Sequence, residues 1–205
     1  MVTPEDAAVT LVLLHGRGHT PASMYQLAER LALTDLACVA PAAPGRSWYP
    51  ERFGAPRARN EPHLSAALAT AHRALDDLEA RGVPPARTVL GGFSQGACVA
   101  CDAIAGRPRP LGALAALCGG LIGAGPGELP RPAPGALSAL PVLLTGTERD
   151  AWVPVDRVRA TAQILREADA EVDLRISAPA PHEIHPDEVD ALRELVRSMA
   201  PAPIG

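Results

Sequence analysis

The sequence predicts an α/β protein, a mostly parallel central sheet with helices on both faces. Three observations lead there. Short apolar runs alternate with longer stretches of helical periodicity along the whole chain. Most of the short runs lack the polar alternation of a half-solvated strand, as expected of strands buried on both faces. At about 150 residues per domain, a length of 205 residues without a repeat or linker favours one compact domain over residues 1–205, with 201–205 as a loose tail.

Val9 to Leu14 is the first apolar run and ends at His15-Gly16, so it reads as a buried strand. Pro21 to Leu33 places Met24, Leu27, Ala28 and Leu31 at helical intervals, with Pro21 in the first turn, where its missing N–H is tolerated. Ala37 to Ala40 is a second short strand. Pro41 to Asn60 carries four prolines together with Trp48, Tyr49 and Phe53 and has no periodicity, which predicts a long irregular excursion of functional weight. Glu61 to Arg81 spaces Leu64, Leu68, Leu75 and Leu78 helically and stops at Gly82. Thr88 to Leu90 is a brief strand and Gln95 to Ala105 an Ala-rich helix. Leu111 to Cys118 and Pro141 to Thr145 are strands, Val155 to Ala168 a helix, Glu171 to Ile176 a strand and Pro186 to Met199 the last helix.

Composition removes whole classes of chemistry. The formal charge of −4 offers no basic field for nucleic acid or anionic lipid. All 19 basic residues are arginine, so no lysine is available for a Schiff base or a phosphate loop. Only six aromatic residues occur, too few for a base-stacking surface. Four scattered cysteines do not form a secreted disulfide framework, and the apolar start is too short for a signal-peptide core. The longest uncharged run, Pro110 to Gly127, holds six glycines and two prolines, which argues against a membrane helix. The expectation is a cytoplasmic protein without stable membrane insertion; the sequence leaves room for a homodimer.

The chemistry sits at Gly92-Phe93-Ser94-Gln95-Gly96, a Gly-x-Ser-x-Gly sequence directly between a strand and a helix. A serine on so sharp a turn needs small residues two positions to either side, and Gly92 and Gly96 supply them. A serine hydroxyl needs a base, and the base needs an orienting carboxylate. After Ser94 the only histidines are His182 and His185. His185 precedes Pro186 at the start of the last helix, whereas His182 lies mid-loop, so placement favours His182. Asp150 follows the strand from Pro141 at its carboxyl end, with Glu148 as the competing acid. Backbone donors for an oxyanion are expected at Gln95, after the nucleophile, and at Arg17, between the glycines of the turn after the first strand.

With these residues in hand, the chain resembles the phospholipase/carboxylesterase group of α/β-hydrolases, which includes acyl-protein thioesterases. Four blocks in order carry the resemblance over nearly the whole chain: Leu14 to Gly18, Gly91 to Ala97, Asp150 to Pro154 and Pro181 to Ile184. It implies an α/β-hydrolase fold without a large cap domain, Ser94 as nucleophile, Asp150 as acid, His182 as base, and the amides of Arg17 and Gln95 as oxyanion hole. Between Gly146 and Asp150 the chain holds one residue more than the family pattern, which keeps Glu148 as an alternative acid.

Trp48 and Trp152 are expected to wall the substrate pocket, and Leu121, after another strand end, to contact the acyl group. Cys98 and Cys101 read as small core residues rather than zinc ligands, and His182-x-x-His185 has the wrong spacing for a metalloprotease helix, so no metal is expected. His19, His63 and His72 read as solvated. The expected function is a serine carboxylesterase acting on a small-molecule ester without a cofactor. The alternatives are a thioesterase or lysophospholipase on the same site and a noncatalytic binding module of the same fold.

Overall fold

The computed structural model describes residues 1–199, so the expected tail at 201–205 lies outside the described residues. Six strands build one sheet: β1 (Val9–Leu14), β2 (Leu36–Val39), β3 (Thr88–Phe93), β4 (Ala113–Leu117), β5 (Pro141–Thr147) and β6 (Glu171–Ser177). Their order is β2-β1-β3-β4-β5-β6, and every neighbouring pair is parallel. The helices are α1 (Pro21–Arg30), α2 (Arg57–Asn60), α3 (His63–Ala80), α4 (Gln95–Gly106), α5 (Val155–Glu167) and α6 (Pro186–Met199).

The period-2 alternation of β1 divides the core between the two faces. Leu11 and Leu13 point toward Met24 and Leu27 of α1 and Leu192 and Val196 of α6. Val12 and Leu14 point the other way, into the cluster with Leu64 and Leu75 of α3, Val99 and Ile104 of α4, and Val158 and Leu165 of α5. Each such leucine, fully removed from water, contributes roughly 1.5–3 kcal/mol. β6 departs from the two-sided apolar pattern. It is an edge strand, and its alternate residues Glu171, Asp173 and Arg175 face outward, blunting the edge against pairing with another chain.

Three boundaries moved for identifiable reasons. β3 runs three residues past Leu90, through two glycines. A Cβ on Gly91 would sit 2.4 Å from the Ala115 carbonyl oxygen, and one on Gly92 would sit 2.4 Å from that of Leu14. These glycines permit close strand packing instead of ending the strand. α1 ends at Arg30 because Ala32 turns into the left-handed region at φ +51°. α3 begins at His63, and Glu61, expected inside the helix, stays outside and accepts the Ser65 N–H with its carboxylate at 3.1 Å.

His72 corrects an expectation. It lies on the inward stripe of α3, four residues after Leu68 and three before Leu75, and is buried. Burial pushes its pKa below the ordinary imidazole value. Among the described residues no helix is long and apolar enough to cross a membrane.

The chain reverses its direction of winding between β1 and β3: β2 lies on one side of β1 and all later strands lie on the other. The crevice beyond the carboxyl ends of these two strands is where parallel sheets bind ligands.

Candidate active site

Ser94 follows β3 and adopts φ +53° and ψ −116°, a conformation an L-residue holds only under constraint. The constraint is the packing of α4 onto β1. A Cβ on Gly96 would lie 2.0 Å from the Leu14 carbonyl oxygen, so only glycine lets helix and strand approach this closely. Ser94 is thereby lifted out of the sheet toward the cleft, while its N–H is held by the Leu117 carbonyl at 2.9 Å.

His182 comes from the loop after β6, at the opposite end of the sheet from β2. Its Nε2 accepts the Ser94 hydroxyl at 2.7 Å, and its Nδ1–H donates to Asp150 Oδ2 at 2.6 Å. Asp150 lies three residues beyond β5, which extends two residues further than expected. The other carboxylate oxygen, Oδ1, accepts the N–H groups of Trp152 at 2.7 Å and Val153 at 2.9 Å. Glu148 is exposed, with its N–H bonded to the Ser177 carbonyl, and makes no contact with His182. His185 caps α6 through its backbone while its ring bonds the Pro181 carbonyl, away from Ser94. The fold thus brings Ser94, His182 and Asp150, the three residues singled out in the sequence, into one hydrogen-bonded chain.

The two expected oxyanion donors flank the serine. Among the described residues, neither the Arg17 nor the Gln95 N–H has a protein acceptor, so both remain free for a ligand oxygen. Their side chains do a different job. Gln95 accepts the Trp48 N–H at 2.9 Å and donates to the Tyr49 carbonyl at 2.8 Å. Arg17 donates to the carbonyls of Tyr49, Pro50 and Glu51. Both residues clamp the excursion between Pro41 and Asn60, turning an irregular segment into a wall.

That wall encloses a cleft of about 280 Å³ around Ser94, lined by Gly16, Arg17, His19, Tyr49, Arg52, Phe53, Phe93, Gln95, Cys98, Trp152, Val153 and His182. Trp152 is on the wall, as expected, and is 56% exposed. Trp48 and Leu121 are not. Trp48 is buried behind the wall, donating Nε1–H to the His15 carbonyl at 2.8 Å. Leu121 is fully buried in the α4–α5 cluster, with its N–H bonded to Thr161. Each was expected from its loop position, but the side chain turned inward because burial of a large apolar group is the stronger demand. Tyr49 and Phe53, neighbours in the same aromatic-rich segment, line the cleft instead; nothing in the local pattern singled out Arg52.

Cys118, Asp150 and His182 offer ligating atoms within 4.8 Å of one another. This is not an open coordination site, because both His182 nitrogens are engaged and burial pushes the Cys118 thiol far above its ordinary pKa. The Cys118 Sγ–H faces Glu188 Oε1 at 3.4 Å, and the same oxygen accepts the Thr145 hydroxyl. Burial also pushes the Cys98 thiol up to about 11, leaving an uncharged S–H in the cleft floor.

A family model described as phospholipase/carboxylesterase matches residues 2–200. The chain belongs to the phospholipase/carboxylesterase family. Among solved structures, the phospholipase/carboxylesterase of Dyadobacter fermentans is 34% identical, with 96% of this chain and 93% of that one covered at a TM-score of 0.87. Esterase PE8 is 30% identical over 94% of this chain and 93% of its own, at a TM-score of 0.71. Acyl-protein thioesterase 2 of Zea mays shares the fold at 21% identity, with 98% and 97% covered and a TM-score of 0.74. With these relatives the chain is a serine hydrolase of the carboxylesterase and thioesterase type, and its sheet is an α/β-hydrolase sheet.

Proposed function

We propose that this phospholipase/carboxylesterase family member hydrolyses small carboxylic esters through an acyl-enzyme on Ser94. The observation that carries the reading is the hydrogen-bonded chain from Ser94 through His182 to Asp150, open to a cleft with two free backbone N–H donors. Ser94 Oγ attacks the ester carbonyl as its proton passes to His182 Nε2, and the tetrahedral oxyanion is met by the Arg17 and Gln95 amides. Asp150 keeps the Nδ1–H tautomer and stabilises the imidazolium. His182 then gives its proton to the leaving alkoxide. Water, deprotonated by His182, releases the acid and restores Ser94.

These steps call on no metal or cofactor and on no partner beyond the ester. A cleft of about 280 Å³ is at the small end of ligand sites, roughly 300–1,000 Å³, which favours short acyl and alcohol groups. Four free cysteines suit a reducing compartment such as the cytoplasm.

The test is labelling by a fluorophosphonate probe together with turnover of p-nitrophenyl butyrate. Wild-type protein is expected to label and turn over, Ser94→Ala to do neither, and His182→Ala to lose both by several orders of magnitude. A folded wild type that neither labels nor turns over would replace this reading with that of a ligand-binding module.

A further inference from the structure

The cleft wall carries an unusual charge pattern for a protein of net charge −4: two arginines and two histidines line it, and no Asp or Glu does. The two arginines differ. Arg17 is committed to three backbone carbonyls, which hold its guanidinium in place. Arg52 makes no side-chain hydrogen bond and has no carboxylate partner among the described residues. It stands instead with its guanidinium 5.7 Å from the centroid of the Trp152 ring, which reaches over the cleft from the loop after β5. An indole face attracts and orients a guanidinium without occupying its N–H donors. Arg52 therefore presents a fork of uncommitted donors to the cleft that holds Ser94.

Resting on the ester-hydrolase reading above, we propose that Arg52 is a specificity-determining residue that selects esters bearing a carboxylate, the guanidinium gripping that group while Ser94 attacks the ester carbonyl. A planar guanidinium matches a carboxylate bidentately, which gives both attraction and register. A substrate held this way gains little from a long apolar chain, in accord with the small cleft.

The test compares kcat/KM, followed by pH-stat, for two matched pairs of esters. Monoethyl adipate against ethyl hexanoate puts the carboxylate on the acyl side, and 4-acetoxybutyrate against butyl acetate puts it on the alcohol side. In at least one pair the wild-type preference for the anion is expected to fall about tenfold or more in Arg52→Gln, to recover partly in Arg52→Lys, and to weaken with added salt. Arg52→Glu is expected to favour the cationic ethyl 6-aminohexanoate. Arg59→Gln, an exposed site off the cleft, controls for a general change of surface charge. The responding pair tells which side of the ester faces Arg52. Unchanged ratios in Arg52→Gln, with fluorophosphonate labelling of Ser94 intact, would overturn the role of Arg52 and leave the hydrolase reading standing. Loss of labelling and of turnover on every ester in the wild type would overturn both.

Discussion

The segments from Pro41 to Asn60 and from Ala178 to His185 reach the cleft from opposite edges of the sheet, one after β2 and the other after β6. They are held by different means. The first is pinned along its length by groups other than Ser94, His182 and Asp150. The Ala43 N–H donates to His15 Nε2 at 3.1 Å, the Gly18 N–H to the Arg46 carbonyl at 2.8 Å, Gln95 and Arg17 grip residues 48–51, and Arg57 pairs with the buried Asp102 at 2.7 Å. The second has its anchors at its end: Glu188 Oε2 accepts the His185 N–H at 3.0 Å, and Arg30 reaches the Ile184 carbonyl at 3.3 Å. In its middle, His182 is located by its own ring bonds to Asp150 and Ser94. The wall is thus held by bonds to the surrounding scaffold, whereas His182, the proposed base, is placed by the two groups with which it would exchange charge.

Breaking the second arrangement carries the largest effect. Asp150→Asn removes the acceptor that sets the His182 tautomer, and kcat on a p-nitrophenyl ester is expected to fall on the order of 10³- to 10⁴-fold. A fall of less than about tenfold would mean that the loop after β6 holds the ring without help from its partners. The wall should respond more mildly. Arg17→Ala deletes three charge-assisted bonds to the excursion while leaving the residue-17 amide in place. It is expected to lower kcat/KM by about 10- to 30-fold, by similar factors for neutral and anionic esters. A loss confined to anionic esters would instead make Arg17 a direct substrate contact.

Acid sharpens the comparison with the smallest effect. The Ala43 N–H can only donate, so His15 Nε2 is unprotonated and Nδ1 carries the proton toward the Gly16 carbonyl. Burial accordingly lowers the His15 pKa below its ordinary 6.5. With the folded value below the unfolded one, this stabilisation is present above pH 6.5 and drains away as pH falls toward the folded value. The slope is up to about 1.4 kcal/mol per pH unit from this group, with His72 acting in the same direction. Urea midpoints between pH 7.5 and 5 should show an acid limb that is shallower in His15→Gln; equal slopes would mean that the start of the excursion does not depend on neutral His15.

Much of this was legible in the residues themselves. The alternation of apolar runs and helical periodicity identified all six strands and the main helices, because each burial pattern repeats at the period of its own backbone. Gly92, Ser94 and Gly96 were readable as a strained turn because only glycine fits where backbones touch, a purely local demand. Ser94 followed from its motif, while His182 and Asp150 were preferred over His185 and Glu148 by loop placement and by the family resemblance. Less legible were the residues whose role depends on direction. Trp48 and Leu121 sat at plausible loop positions yet turned into the core, and His72 fell on a buried stripe. Sequence position reports where a Cα lies along the chain, not which way its side chain is driven by neighbours distant in sequence.

Periodicity and glycine's freedom are enough to read the parallel α/β architecture and the Gly-x-Ser-x-Gly turn from the residues alone, and the chemistry of a weak nucleophile names the residue types that acyl transfer would need. It took the packed sheet to show that Asp150 rather than Glu148 faces His182, that the Arg17 side chain braces a wall, and that Arg52 stands beside the Trp152 ring without a side-chain hydrogen bond among the described residues. Those outcomes turn on contacts between segments 30 or more residues apart, where distances of a few ångströms separate a hydrogen bond from none, and the packing of the whole sheet sets those distances.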